Sequence, residues 1–404
     1  MLNRTFTAFW LFGLINNVLY VVILSAAVDL VGPLVPKATV LLADVLPSFS
    51  LKLTAPFFIH IIPYSYRIFV LIGLSMLGMV IVAFATETSW ILFGIVLASS
   101  SSGLGELTFL QLTHYYGDIS LSGFSSGTGG AGLVGSFVFL VLTTWMHISV
   151  KTTLVLFSAV PLVFFFSFFW LLPDPETVFL RSRQNGDFQL EEGYSGETST
   201  LNFSLSGLRF DLDTLEKVRV HMALTLRRLR PLVFPYMFPL CSVYVAEYII
   251  NQGVSPTLLF PIEELPFKRY RDVYVSYGTL YQVGVFISRS SGPFVRIRKI
   301  YWPSILQAVN LAVCILQSIY FFIPNVYIML VLVFYEGLLG GASYVNTFML
   351  VSERTPLQDR EFAMGAVGIS DSAGIVLAAS ISMWLEPRLC NYQVNDGRPW
   401  CTMS

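Results

Sequence analysis

The chain has 404 residues, of which 55% are hydrophobic and only 12% charged, with a mean hydropathy of +0.69 and a formal net charge of −1. Soluble domains carry about 25% charged residues, so this composition excludes a soluble globular protein and places the chain in a membrane. The near-neutral charge offers no footing for nucleic acid, and the first apolar run lacks a basic start and a small-residue cleavage site, so it reads as a span rather than a removed signal.

With a span length of about 20 residues, apolar segments fall near 6–30, 39–62, 67–86, 90–115, 124–146 and 152–172. A polar stretch, 173–230, follows with acidic residues (Glu191, Glu192, Glu197, Asp211, Asp213, Glu216) and then a basic end at Arg227, Arg228 and Arg230. Apolar segments resume near 232–261, 273–291, 300–322, 325–351 and 362–385. The expected class is therefore an all-α integral membrane protein of about 11 transmembrane helices. It divides into a six-helix half (1–172), a loop (173–230), a five-helix half (231–386) and a tail (387–404).

Cytoplasmic loops hold more Lys and Arg than loops on the opposite side. A cytosolic N-terminus puts sixteen basic residues on the cytosolic side, eight of them in 173–230, against seven on the other. The N-terminus and the long loop are thus expected in the cytosol. There the Asn3-Arg4-Thr5 and Asn202-Phe203-Ser204 glycosylation patterns would stay unmodified.

Six helices, a cytosolic linker and a second helix set are similar to the major-facilitator plan, two parallel repeats facing each other across a cavity. Polar residues recur in matching order. Glu106 in SSGLGE answers Glu336 in YEGLLGG; Asn16, Asn17 and Tyr20 answer Glu247, Tyr248, Asn251 and Gln252; Lys52 answers Arg289. Small residues repeat every fourth position at Gly123, Gly127, Ala131 and Gly135 and at Ala366, Ser370, Gly374 and Ala378. That spacing reads as close helix packing. Gly123-Phe-Ser-Ser-Gly127 matches a nucleophile elbow, and Gly127, Gly129 and Gly132 a dinucleotide fingerprint. Both need a preceding strand that a membrane helix does not supply. The histidines (His60, His114, His147, His221) lack metal-ligand spacing, Cys241 and Cys314 read as small apolar residues, and neither an enzyme constellation nor a cofactor site emerges.

The stretches NNVLYVVILSAA, LLADVLPSFSLKLTAP, SSGLGELTFL, SSGTGGAGL, AEYIINQG, FISRSS, YEGLLGGASYVNTF and REFAMGAVGISD, in that order, resemble the battenin family. The resemblance implies a multi-pass protein of the vacuolar or lysosomal membrane with a major-facilitator-like fold. It also implies a link to vacuolar pH homeostasis, to basic amino acids (arginine) and to clearance of glycerophosphodiesters. The chain lacks the longer glycosylated first loop and the dileucine-type sorting signal of animal members.

Ionisable groups inside a membrane are expensive and read as functional. Asp44, Ser48 and Lys52 share a helical face, so Lys52 is neutralised by Asp44, or snorkels to the interface, or, with Arg289 from the other half, binds an anionic group across the cavity. Tyr244, Glu247 and Asn251 share another face, as do Glu336, Gly340 and Ser343. The expected substrate-binding residues are Lys52, Arg289, Tyr248, Asn251 and Gln252, and the expected proton-coupling residues are Glu106, Glu247, Glu336 and Asp371. A phosphodiester needs the two cations, whereas arginine needs several of the carboxylates. The contrasting reading is a non-transporting regulator of trafficking and of the proton pump, acting through the cytosolic loop.

The terminal Cys401-Thr402-Met403-Ser404 fits the C-a-a-X lipidation pattern, as does the end of animal battenins. Eleven spans from a cytosolic N-terminus leave the tail in the lumen, away from cytosolic prenylation, where Cys390 and Cys401 are instead available for a disulfide. The reading adopted is eleven spans and an unlipidated Cys401.

Overall fold

A computed structural model describes residues 4–31, 37–173, 212–266 and 270–402. The acidic part of the long loop and both glycosylation patterns lie outside these residues. Every regular element among the described residues is a helix. The first half contains α1 (Arg4–Val31), α2 (Lys37–Thr54), α3 (Tyr64–Phe84), α4 (Thr88–Leu112), α5 (Asp118–Leu140), and α6 (Val150–Ser158) followed by the short α7 (Leu162–Phe166). The second contains α8 (Leu212–Leu232), α9 (Phe238–Ile249), α10 (Tyr270–Ser290), α11 (Tyr301–Tyr320), α12 (Val326–Arg354), and α13 (Leu357–Val367) followed after Gly368 by α14 (Ile369–Asn395). Helices satisfy their own backbone groups, which is what a segment surrounded by hydrocarbon requires.

Nine helical stretches of the described residues are long and apolar enough to cross a membrane. The two remaining expected spans are α2, which carries Lys37, Asp44 and Lys52, and α10, which carries Arg271, Asp272 and Arg289. Both run between the halves, α2 against α14 and α10 against α5, where Asp44 and Lys52 are buried in protein and Arg289 is largely enclosed by it. The end of the polar stretch is helical: α8 begins at Leu212 and continues through a π turn at Val233–Met237 into α9. The lipid-facing surface is apolar, with Phe69, Phe137, Trp170, Phe234 and Trp384 all exposed, the inverse of a soluble protein.

The small-residue repeats pack helices. A Cβ placed on Gly127 of α5 would lie 2.1 Å from the Trp10 carbonyl oxygen of α1. Small residues of α14 play the same part in the second half, where Gly374 abuts the Cys241 carbonyl of α9. The pairs α1–α5 and α9–α14 are thus equivalent contacts of the two repeats.

Cys390, near the end of α14, is disulfide-bonded to Cys401, with Cα atoms 5.8 Å apart. The tail is also tied down by Trp400, whose ring lies 5.4 Å from that of Phe321. Gln393 Nε2 donates to the carbonyls of Thr257 (2.9 Å) and Ser318 (2.8 Å). Of the two fates open to Cys401, the structure has the disulfide, and a sulfur so bonded has no thiol to prenylate.

Two outcomes follow from this packing. Gly127→Ala should lower the thermal stability of the detergent-solubilised protein by about 1–3 kcal/mol through overpacking against backbone. Gly73→Ala, at a position with nothing within 4 Å of the new Cβ, should not. Proteolysis without reductant should release the Cys390 and Cys401 peptides joined; a farnesyl mass on Cys401 would instead put the tail in the cytosol.

Candidate substrate site

Buried side chains of both halves form two neighbouring polar clusters in an apolar surround. Lys52 of α2 is almost wholly buried and donates through Nζ to Glu106 Oε2 of α4 (2.6 Å), to Asp371 Oδ1 of α14 (3.3 Å) and to Ser372 Oγ (2.8 Å). Asp371 is held in turn by the Ser372 backbone N–H (2.6 Å). The proposed neutralisation of Lys52 by Asp44 is therefore corrected. Asp44, two turns away on the same face, makes no ion pair with Lys52, and its Oδ2 is buried without a partner among the described residues. Lys52 turns instead to carboxylates on neighbouring helices, because a short lateral reach brings it nearer to them than two turns along its own axis.

Arg289 lies near the end of α10, the counterpart of α2 by helix order in the second half. Its Nη1 donates to Thr128 Oγ1 of α5 (2.7 Å) and its Nη2 to the Tyr244 hydroxyl of α9 (2.8 Å). Its guanidinium carbon lies 4.1 Å above the ring centroid of Tyr344 of α12. The two cations are related by the repeat: Lys52 reaches α4 and α14, and Arg289 reaches α12 and α5, the counterparts. Their partners differ in charge. Lys52 has two carboxylates, whereas Arg289 has hydroxyls and a π face, with no carboxylate within 4 Å among the described residues and its Nε unpartnered. A largely enclosed guanidinium whose direct contacts are hydroxyls and a π face, with Glu247 acting on it only from beyond ion-pair distance, is suited to accept an anion, and its planar fork matches carboxylate or phosphate.

The two environments are joined through Tyr344. Its hydroxyl donates to Glu106 Oε1 (3.0 Å) while its ring supports Arg289. On the other side of Arg289, Glu247 of α9 accepts a hydrogen bond from the Tyr281 hydroxyl at Oε1, and its Oε2 is buried without a partner. Asn251, in the π turn Ile250–Val254 that extends α9, donates to Glu336 Oε1 (2.9 Å), leaving Glu336 Oε2 buried and unpartnered. Two adjacent glycines of α12 make room for these groups. A Cβ on Gly340 would lie 2.1 Å from Glu247 Oε2, and one on Gly341 would lie 3.2 Å from Arg289 Cγ.

The structure thus brings together Lys52, Glu106 and Asp371 in one cluster, and Glu247, Glu336 and Asn251 in another, with Arg289 between. Tyr248 stands at the edge, its ring stacked 6.1 Å from that of Tyr244. Gln252 is half-buried with no hydrogen bond to the others. Thr128, Tyr281, Tyr344 and Ser372 were not among the expected site residues. The signal for them was faint: hydroxyls within apolar runs, Tyr344 eight positions after Glu336 and Ser372 beside Asp371. Among the described residues no group of three His, Cys, Asp or Glu has the arrangement of a metal site.

Beyond this cluster, on the side of the basic loops, polar contacts join the two halves. Arg296 pairs with Asp118 (3.1 Å) and with Glu353 (3.1 Å), and Glu361 accepts from the hydroxyls of Tyr64 (2.6 Å) and Tyr115 (3.3 Å).

Comparison with solved structures bears out the architecture. A major-facilitator transporter, FucP, in its outward conformation aligns with a TM-score of 0.53 at 13% identity, over 99% of this chain and 94% of FucP. A bacterial homologue of the iron transporter ferroportin, in an outward-facing state, aligns at 0.56 and 15% identity, over 99% and 97%. At such identities the likeness shows the fold alone, a major-facilitator helix bundle. Sequence comparison goes further. The family described as CLN3 protein matches residues 7–392. Protein BTN1 of Yarrowia lipolytica is 60% identical over 401 residues, covering 99% of this chain and 98% of the relative. Protein BTN1 of Saccharomyces cerevisiae is 50% identical over 409 residues, covering 99% and 98%. With a family match across nearly its whole length and relatives this close, the chain belongs to the CLN3, or battenin, family.

Proposed function

We propose that the protein is a transporter of the vacuolar membrane that moves a small organic anion, a glycerophosphodiester, by alternating access and exchanges protons with an acidic lumen. The observation that carries this reading is Arg289: a largely enclosed guanidinium held by hydroxyls of both halves and ion-paired with no carboxylate among the described residues. A phosphodiester supplies the missing charge in the geometry a guanidinium binds best. In this scheme Lys52 has its counter-charges already, so the anion rests on Arg289, with Tyr244 and Thr128 as further donors once they release the guanidinium. Tyr248, Asn251 and Gln252 line the approach from α9 and its extension.

Proton coupling falls to the carboxylates. Lys52 faces both Glu106 and Asp371, so the cluster balances its charge only when one proton is held between the two acids. Tyr344 touches both Glu106 and Arg289, so an anion that draws Arg289 off the ring disturbs the acid cluster through a single side chain. That contact is a physical route from substrate to proton. The conformation fits a state closed toward the cytosol, since the Arg296–Asp118 and Glu361–Tyr64–Tyr115 contacts tie the halves together on the basic side.

One observation favours transport of a basic amino acid instead. Glu247 Oε2 and Glu336 Oε2 are buried and unpartnered, and a cationic side chain would pair with both. The two readings separate on purified protein in proteoliposomes. Arg289→Lys should slow glycerophosphodiester transport roughly tenfold or more, because one charge-assisted hydrogen bond is worth about 1.5–3 kcal/mol, and Arg289→Ala should do worse. Normal rates in both variants, with arginine uptake lost in Glu247→Gln and Glu336→Gln, would transfer the function to the carboxylates. Glu247→Gln is nearly isosteric, so the protein should fold and localise normally while losing dependence of transport on lumenal pH. An unaltered pH profile removes Glu247 from the proton path.

A further inference from the structure

Away from the two polar clusters, a pocket of about 360 Å³ opens at the corner where the α8–α9 junction, the 291–300 loop, the start of α11 and the end of α12 meet. Three cations line it, Arg298, Lys299 and Arg354, all exposed. None has a carboxylate within 4 Å among the described residues, although Arg296, two positions before Arg298, is neutralised by Asp118 and Glu353. Three unmatched positive charges around one concavity attract an anion.

The remaining walls have a different character. Tyr236, Trp302, Ile305 and Leu350 line the pocket, and Trp302 is 57% and Ile305 53% exposed on the lipid-facing surface. Tyr301 and Trp302 stand at the first positions of a membrane helix, the level at which aromatic residues mark the membrane–water boundary. The pocket therefore has a cationic end in the headgroup region and an apolar wall leading into the hydrocarbon. A free anion would need only the first, and a peptide in water would not use the second.

We infer that this pocket binds an anionic phospholipid of the adjacent leaflet. Arg298, Lys299 and Arg354 hold its phosphate and acidic headgroup, and its acyl chains descend past Trp302 and Ile305. Basic pockets between transmembrane helices bind such headgroups by the same electrostatics. The ligand would join the end of α12, the helix that bears Glu336, Gly340 and Tyr344, to the start of α11. Its test is independent of the transported solute.

Native mass spectrometry of the full-length protein released from mixed micelles of phosphatidylserine and phosphatidylcholine tests the assignment. The wild-type protein should retain one phosphatidylserine in preference to phosphatidylcholine. The triple variant Arg298→Gln, Lys299→Gln, Arg354→Gln should lose that preference, with affinity falling roughly a hundredfold if each basic residue contributes about a factor of five. The charge-preserving pair Arg298→Lys and Arg354→Lys should keep most of it. If the triple variant does not fold, Lys299→Gln alone, in the loop, should lower retention about fivefold. Equal retention of both lipids, or of phosphatidylserine in wild type and variant, overturns the proposal. Displacement of the lipid by millimolar inorganic phosphate also overturns it, since the site would then serve a free anion.

Discussion

Every buried charge in this fold must be answered from within the protein, because the hydrocarbon around the helices answers none. The way the chain meets that requirement differs between its two cations, and much of the site follows from the difference. Lys52 is surrounded by Glu106, Asp371 and Ser372 and is satisfied at close range. Arg289 is given hydroxyls and an aromatic face. A lysine so enclosed holds helices together, since it bridges α2, α4 and α14 across the two halves. An arginine so exposed to neutral partners has electrostatic work left to do, and the anion reading rests there.

The two halves are repeats in backbone but have diverged in charge. The same contact geometry carries two acids in one place and Tyr344 with Thr128 in the other. Divergence of this kind keeps the acid pair around Lys52 apart from the guanidinium of Arg289 within one repeated scaffold. Tyr344 bridges them by hydrogen-bonding Glu106 and lying beneath Arg289. The paired glycines Gly340 and Gly341 allow α12 to approach both Glu247 and Arg289 closely. A methyl group at Gly340 would meet the Glu247 carboxylate, the end of a flexible side chain, and push it from its present position.

Much of this was legible in the sequence. The count of apolar runs, the polar break and the small-residue repeats all depend on local composition, and the helices lie where composition puts them. So do the positions of Glu106, Glu247, Glu336, Asp371, Lys52 and Arg289, since a charge in an apolar run stands out by itself. Pairing was less legible. Helical periodicity put Asp44 and Lys52 on one face and suggested that they meet, but periodicity says nothing of the next helix, where the actual partners stand. Tyr344 and Thr128 were missed for a related reason: a tyrosine or threonine in a membrane helix is chemically unremarkable until a guanidinium is found beside it. The helix at Leu212–Leu232 was hidden by its charges, which look like loop when only bilayer-spanning segments are sought.

The central claim, that Arg289 is the anion-binding group, is tested most directly by an experimental structure of the protein in lipid nanodiscs with a saturating glycerophosphodiester. The account predicts phosphate density within about 3 Å of the Arg289 guanidinium, a charge-assisted hydrogen-bond distance, with Tyr244 or Thr128 turned toward it and Lys52 still paired with Glu106 and Asp371. Phosphate bound elsewhere while Arg289 keeps its contacts to Thr128, Tyr244 and Tyr344 would contradict it.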